Sequence, residues 1–425
     1  MKDDNVVQLP RASAVKDALS EVLRAGAQRM LAEAIEAELE EFLALMGERR
    51  TIDGRVAVVR NGYLPPRTVL TGIGAVPIEM PKVRSRDDEP AVFRSALVPP
   101  YVRRSKSIDA VLPWLYLHGV STNNMAGAVA ALVGPQAANL SAPVVARLKK
   151  VWSDEYEAFR KRRWDKSRIV YLWADGVYSG LRAEDQKLCA LVVIGADAQG
   201  RKHLLALEDG VRESTQSWRE VLRQLKKNGL VRPPLLAAGD GALGFWAALD
   251  EVFPQTRQQR CWVHKIVNVL NYAPKAVQPK MKQALAQIWM AETKDAAHQA
   301  FDEFIATFGQ KYPKAVECLR KDRALLLTFF DFPAAHWQHI RSSNVIESVF
   351  ATVRHRTNRV KGCFTRASLL PLMFKLGQAA QKNWRRLRGH RQCAAVIDGV
   401  KFKDGIALQA KTLKPARNQI AQAAA

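Results

Sequence analysis

Apolar residues at Val15, Leu19, Val22, Leu23, Met30, Leu31, Ile35, Leu39, Phe42, Leu43 and Met46 recur in steps of three and four, which predicts one long amphipathic helix. Such a stripe serves equally to pack inside one subunit or to pair with a second, and the pattern does not choose. From Arg60 to Arg86 the period shortens. RNGYLPPRTVLTGIGAVPIEMPKVRSR alternates apolar and polar residues around Gly72 and Gly74, with prolines bounding the runs, and predicts a small hairpin rich in Arg and Lys. Val102 to Lys150 reads as helix again. Within it, YLHGVSTNNMAGAVAALVG and LSAPVVARLKKVW read as helix, turn, helix, with Ser121 or Thr122 and Ser141 as N-caps and Arg147, Lys149 and Lys150 behind them. That arrangement suits DNA binding, although any two capped helices look alike.

From Arg168 the pattern changes to strands. SRIVYLWAD, KLCALVVIGAD and RKHLLALED are successive apolar runs with AEDQ and AQG between them as turns. A helix over Ser214–Asn228, a fourth strand in PPLLAAGD, a helix over Leu243–Val252 and a fifth short strand in RQQRCWV follow. This order predicts an α/β fold with a mixed sheet. Beyond His264 the spacing is helical, and a further helix opens near Asn344.

Composition narrows the class of partner. The 425 residues are 48% apolar, enough for a sizeable core in two to four domains. Lys and Arg number 65 against 41 Asp and Glu, a net +24, so a polyanion is the expected partner. The excess concentrates at one end: from Arg341 onward 17 Lys and Arg face three acids (Glu347, Asp398 and Asp404), a net +14. A solvated face or an anionic membrane contact is the alternative, but no lipid-facing amphipathic pattern accompanies the charge. Five scattered cysteines form no disulfide framework, and a reducing cytoplasm is the expected compartment. MKDDNVVQLP has no basic and apolar leader pattern, and runs such as Leu188–Ala196 are too short to span a bilayer.

Three carboxylates stand out. Asp175 ends IVYLWAD and Asp240 ends PLLAAGD, each followed by Gly, and active sites of open α/β sheets assemble at the carboxyl ends of strands. Taken singly, each Asp-Gly reads as a turn. Glu347, in RSSNVIESVFATVRHRTNRVKG, has a structural reading as well: with Asn344 as N-cap it would complete a capping box. Against that stands the basic run Arg354, Arg356, Arg359 and Lys361, which would set phosphate-binding charge beside an acidic pocket. Carboxylates alone repel DNA, whereas hard divalent cations held by carboxylates neutralise a phosphodiester and activate its attacker.

At these residues the sequence resembles the mutator-type transposases of bacterial insertion sequences, a branch of the DDE transposases, from about Ala27 to about Arg388. The features that carry the resemblance are RNGYLPPRTVLTGIGAVPIEMPKVR, LHGVST, ADGVYSG, GDGALGF, RCWVHK and HWQHIRSSNVIESVFATVRHRT, in that order. It implies a ribonuclease H-like core in which Asp175, Asp240 and Glu347 hold two Mg²⁺ or Mn²⁺ ions. It also implies an all-helical insertion before the glutamate. Spacing allows that insertion: 107 positions separate Asp240 from Glu347, and a helix, a strand and their loops need only about 40. Cys261 and His264 match the family's Cys-x-x-His, which implies a place near the active site, with His264 orienting a carboxylate or touching the scissile phosphate. A packed Cys and His is the alternative, and one such pair is too few for a closed zinc site. Trp262 and Trp337 have two readings, stacking on an unpaired base near the cut or burial in the core.

The expected organisation is an N-terminal helix for dimerisation (1–50), a basic β-hairpin region (51–100) and a helix-turn-helix-like DNA-binding region (101–165). A catalytic core (166–264 and 341–390), an all-helical insertion (265–340) and a basic tail (391–425) complete it. The expected partners are double-stranded DNA, at the element ends and at the target, and further copies of the chain, with no membrane and a nucleoid-associated cytoplasmic location. A non-catalytic DNA binder and a ribonuclease H-type nuclease without strand transfer are the rival readings.

Overall fold

A computed structural model describes residues 18–117, 120, 124–133, 142–179, 188–210, 212–241, 243–347, 350 and 365–408. The chain divides into two compact units, Met1–Lys150 and Val151–Ala425.

In the first unit the stripe of apolar residues forms α1 (Ala18–Leu45). Ile35 and Leu39 are buried against a β layer, with Leu31, Phe42, Leu43 and Met46 packed around them, whereas Leu19, Val22, Leu23 and Met30 face solvent. The expected single hairpin is two nested antiparallel pairs. β1 (Val58–Tyr63) pairs with β4 (Pro81–Ser85), and β2 (Arg67–Thr71) with β3 (Gly74–Ile78). Pro65 and Pro66, which have no N–H to donate, separate β1 from β2 and split the ladder. α2 (Lys106–Leu117) and α3 (Met125–Val133) follow, and the division between the units falls within α4 (Ala142–Arg160). Ser121, Thr122 and Ser141, the expected caps, lie outside the described residues.

The second unit is mixed α/β. β5 (Ile169–Ser179), β6 (Leu188–Asp197) and β7 (Lys202–Gly210) form an antiparallel meander, and α5 (Thr215–Lys227), β8 (Leu236–Gly239), α6 (Leu243–Val252) and β9 (Arg257–Arg260) follow. The sheet order is β7-β6-β5-β8-β9, with β8 and β9 parallel to β5. All ten residues of β6 are buried, which explains why its sequence is a continuous apolar run without alternation. One face is covered by α5, which starts at Ser214, whose hydroxyl accepts from Ser217 N at 3.2 Å, and which buries Trp218, Val221, Leu222 and Leu225 in the core with Leu172, Ala174, Leu191 and Val193. The opposite face carries Tyr171 and Trp173.

From Trp262 to Ile340 the described chain is helical: α7 (Trp262–Leu270), α8 (Gln278–Trp289), α9 (Lys294–Phe308), α10 (Pro313–Arg320), α11 (Arg323–Leu326), two 3-10 turns and α12 (Trp337–Ile340). Its last turns pack over the face of β5 away from α5. The Tyr171 hydroxyl lies 2.7 Å from His336 Nδ1, and Trp173 Nε1 donates to His339 O at 2.9 Å. A helix over Arg366–Gln381 follows. The expected basic tail is folded at least to Leu408: a short helix (Cys393–Ile397) leads into a two-residue hairpin, because Gly405 N donates to Phe330 O and Ala334 N to Gly405 O, both at 3.1 Å. The fifth strand is shorter than expected. Cys261 N makes a last ladder bond to Gly239 O at 2.8 Å, then Trp262 N turns to Arg341 O at 3.0 Å, so CWV opens α7.

Candidate active site

The register of the parallel strands brings the two aspartates together. β5 and β8 pair through Ala174 and Gly239, and Asp175 and Asp240 are the next residues on each strand. Neighbouring strands lie about 4.8 Å apart and in-register side chains share a face, so both carboxyls leave the sheet on the side of Trp173. β9 adds Cys261 in the same way, since Gly239 pairs with Arg260. Asp175 does not end its strand as the sequence suggested. β5 runs on to Ser179 against β6, and only its pairing with β8 stops at Ala174.

Glu347 arrives from the far side of the helical segment. Residues 344–347 are helical, and the amides of Ile346 and Glu347 both point to Ser343 O, so Ser343 opens the helix in place of Asn344 and the capping-box reading of Glu347 fails. Ser343 is fully buried. Its N–H and hydroxyl donate to Cys261 Sγ at 3.2 and 3.3 Å, and its oxygen lies 3.3 Å from His264 Nδ1. Across the ring, His264 Nε2 is 3.5 Å from Glu347 Oε1. The Cys-x-x-His pair therefore anchors the start of the glutamate helix to the strand ends. Among the described residues, the atoms of Asp175, His264 and Glu347 that could bind a metal ion all lie within 4.8 Å of one another. That compact group contains His264 and not Asp240, which stands one strand over.

The electrostatics follow from crowding like charges in a half-buried place. Burial, reinforced by Asp240, pushes the Asp175 carboxyl up to about 7, with His264 acting against the shift. His264 is pushed up to about 9 by its hydrogen bond to Cys261 against the cost of burial, with Cys261, Asp175 and Asp240 adding attraction, so it is cationic at neutral pH. Burial disfavours the Cys261 thiolate, yet hydrogen bonding to His264 and Ser343 outweighs it and holds the thiol below its ordinary value.

The Asp175 shift predicts a pH dependence. A carboxyl whose folded pKa exceeds its unfolded one stabilises the protein fully below the unfolded value, and that contribution is lost as pH rises through about 7. In EDTA, melting temperatures measured from pH 4 to 8 should therefore decline less for Asp175→Asn than for the wild type. Parallel curves would contradict the shift.

A fourth carboxylate, Glu213, sits at the same strand ends and was not singled out from the sequence. It precedes the N-cap of α5, and no spacing or motif marks it. Tyr178 OH donates to its Oε1 at 3.1 Å, and a Cβ added to Gly176 would come 2.4 Å from that oxygen. Glu213 Oε2 is buried without a hydrogen-bond partner. Burial and then the charge of Asp240 push its pKa up.

Other expected site residues fare differently. Trp262 is 2% exposed and donates its indole N–H to Leu326 O at 2.9 Å, so its ring is core and its stacking reading is withdrawn. Trp337 is half-buried, edge-on to Phe329 and Phe330, with its N–H on Phe332 O at 2.8 Å; it too is held by packing and carries no stacking argument. Arg147, Lys149 and Lys150 are exposed on α4. Arg354, Arg356, Arg359 and Lys361 lie outside the described residues. No helix among the described residues is long and apolar enough to cross a membrane.

Comparison with known proteins points the same way as the site. The family model "Transposase, Mutator family" matches residues 2–387. The chain is 50% identical over 282 residues to the transposase for insertion sequence element IST2 of Acidithiobacillus ferrooxidans, an alignment covering 66% of this chain and 95% of that one. It is 46% identical over 305 residues to the transposase for insertion sequence element IS6120 of Mycolicibacterium smegmatis, covering 72% and 94%. It is 29% identical over 370 residues to the transposase for insertion sequence element ISRM5 of Rhizobium meliloti, covering 87% and 89%. With a match that spans nearly the whole sequence, this chain belongs to the Mutator family of transposases, enzymes that cut and transfer DNA.

Proposed function

We propose that the protein is a DDE-type transposase that binds the terminal inverted repeats of an insertion sequence, cleaves a strand there to free a 3′-hydroxyl, and directs that hydroxyl at a second DNA strand. The observation that carries the reading is the register of β5 and β8, which makes Asp175 and Asp240 neighbours, joined by Glu347 through His264. The sheet order, three antiparallel strands and then two parallel ones reached through helices, supports a ribonuclease H-like core formed by 166–264 and 341–390. In this reading residues 265–340 are an insertion, and the chain acts on DNA of the nucleoid as a dimer or larger assembly.

The donor set suits a hard divalent cation such as Mg²⁺ or Mn²⁺: carboxylate oxygens of Asp175 and Glu347 lie together, Asp240 is beside them, and a buried Glu213 oxygen lacks a partner. Asp175, Asp240 and Glu347 would hold two ions, which when bound supply charge neutralisation at the phosphate and activation of the attacking oxygen. The chain's own groups do the positioning. His264 steadies Glu347 from one ring nitrogen while Ser343 and Cys261 fix the other side of the ring. Its positive charge also offsets the acids that would otherwise repel DNA. Arg147, Lys149 and Lys150, with Arg354, Arg356, Arg359 and Lys361, are the proposed phosphate contacts, whose effect on affinity weakens steeply with salt.

A labelled duplex carrying the element's end tests the reading. Mg²⁺ or Mn²⁺ should yield nicked and then joined products, and EDTA neither. Salt-sensitive binding with no product under either metal would identify a DNA-binding regulator, and cuts that never become joined strands would identify a nuclease.

A further inference from the structure

We propose that Glu213 is a fourth acidic ligand of the divalent-cation centre, seated by Gly176 and Tyr178. The inference rests on the metal-dependent reading above and adds a residue to it. Asp175 and Gly176, where the pairing of β5 with β8 stops, face opposite ways, because side chains alternate along a strand. Asp175 leaves on the side of Trp173, and Gly176 opens on the side of α5, where Glu213 lies just before Ser214. A side chain at Gly176 would have to displace the Glu213 carboxylate. The glycine is not among those with positive φ, so a turn does not demand it, and a side chain there would run into Glu213 Oε1 at 2.4 Å and its Cδ at 2.5 Å. Gly244, in α6, leaves the matching room on the other side, since a Cβ there would meet Glu213 O at 2.3 Å.

The glutamate is thus held tightly at both its backbone and its carboxylate. Only one oxygen has a use within the protein. Tyr178 OH donates to Oε1, while Oε2 is buried and makes no hydrogen bond among the described residues. A buried carboxylate oxygen left unpaired is costly, and here it lies close enough to Asp240 and Asp175 to add to their repulsion. Glu213 stands outside the compact group of Asp175, His264 and Glu347, and a cation placed between it and Asp240 would satisfy that oxygen and lessen the repulsion.

Mn²⁺ binding to the full-length protein without DNA, followed by the loss of free-Mn²⁺ electron paramagnetic resonance signal, tests the proposal. Glu213→Gln is expected to weaken Mn²⁺ binding by at least about tenfold and, in EDTA, to melt at or above the wild-type temperature, because an unpaired charge is removed. A purely structural glutamate would give the reverse: unchanged Mn²⁺ binding and a lower melting temperature. Glu213→Asp, which keeps the charge and withdraws it by one methylene, should also weaken binding and covers the case in which the Gln variant does not fold. Asp175→Asn separates the two levels of the argument. If it loses Mn²⁺ and Glu213→Gln does not, the fourth ligand is wrong and the centre stands; if neither variant loses Mn²⁺, both fall.

Discussion

Asp175→Asn is expected to lower strand cleavage and joining by about 10³-fold or more while leaving binding to the element ends unchanged. Asparagine fills the same volume at the end of the β5–β8 pairing, so the sheet has no reason to shift. What disappears is an oxygen ligand carrying charge, in a site where Glu347 is the other carboxylate of the compact group. Asp240→Asn and Glu347→Gln should give the same separation of binding from chemistry, the latter with an additional loss of the 3.5 Å attraction to His264. Gel-shift titrations alongside a Mg²⁺-dependent nicking assay read both halves of the prediction. Cleavage retained in any one variant removes that residue from the triad. Loss of end binding along with cleavage would show that the variant had damaged the fold instead.

The second large effect is on stability. Asp322→Ala should destabilise the second unit by about 3–5 kcal/mol, the usual cost of removing one partner from a buried ion pair. Here one carboxylate serves two cations. Asp322 Oδ2 accepts from Arg260 Nε at 3.2 Å and pairs with Lys265 Nζ, while the Arg260 and Lys265 side chains are only 7% and 1% exposed. Without Asp322 the lysine keeps a single bond, to Cys318 O at 2.9 Å, and the guanidinium, whose Nη1 already lacks a partner, keeps none that the structure shows. Urea unfolding followed by tryptophan fluorescence should show the midpoint move. Adding Lys265→Met should recover part of the loss, since one of the stranded charges goes with it. An unchanged midpoint in Asp322→Ala would mean that the pair contributes nothing. The consequence reaches the site, because Lys265 follows His264 on α7 and Arg260 fills the space beside Gly241, at φ +91°, next to Asp240.

The two Asp-Gly pairs show where reading the chain as text stops. Both looked like turns at strand ends. Gly241 is one, in a left-handed conformation that glycine adopts without strain. Gly176 lies inside β5, and a side chain there would have to displace the Glu213 carboxylate. The same dipeptide thus has two causes, and the second involves a residue 37 positions away. Glu213 was invisible for that reason: its neighbours in sequence, Arg212 and Ser214, say only that a helix is about to start. Glu347 was legible as a candidate but for a mixed reason, since the cap it resembled belongs to Ser343. For Trp262 the sequence left stacking and burial both open, and only the carbonyl of Leu326 explains why it points inward.

By itself the sequence determined the local elements: α1 from its stripe, the five strands of the sheet from their apolar runs, the helical stretch after His264, and the basic charge that suits DNA. These properties are set by residues within a turn or a strand length of one another, and burial of apolar side chains repeats them at fixed periods. The tertiary structure decided the meeting of Asp175, Glu347 and His264, with Asp240 one strand over and Glu213 beside Gly176, because that depends on strand register and on which helix end docks at Ser343. Register is fixed by how apolar side chains pack across the sheet, a condition shared among distant segments and written in no one of them.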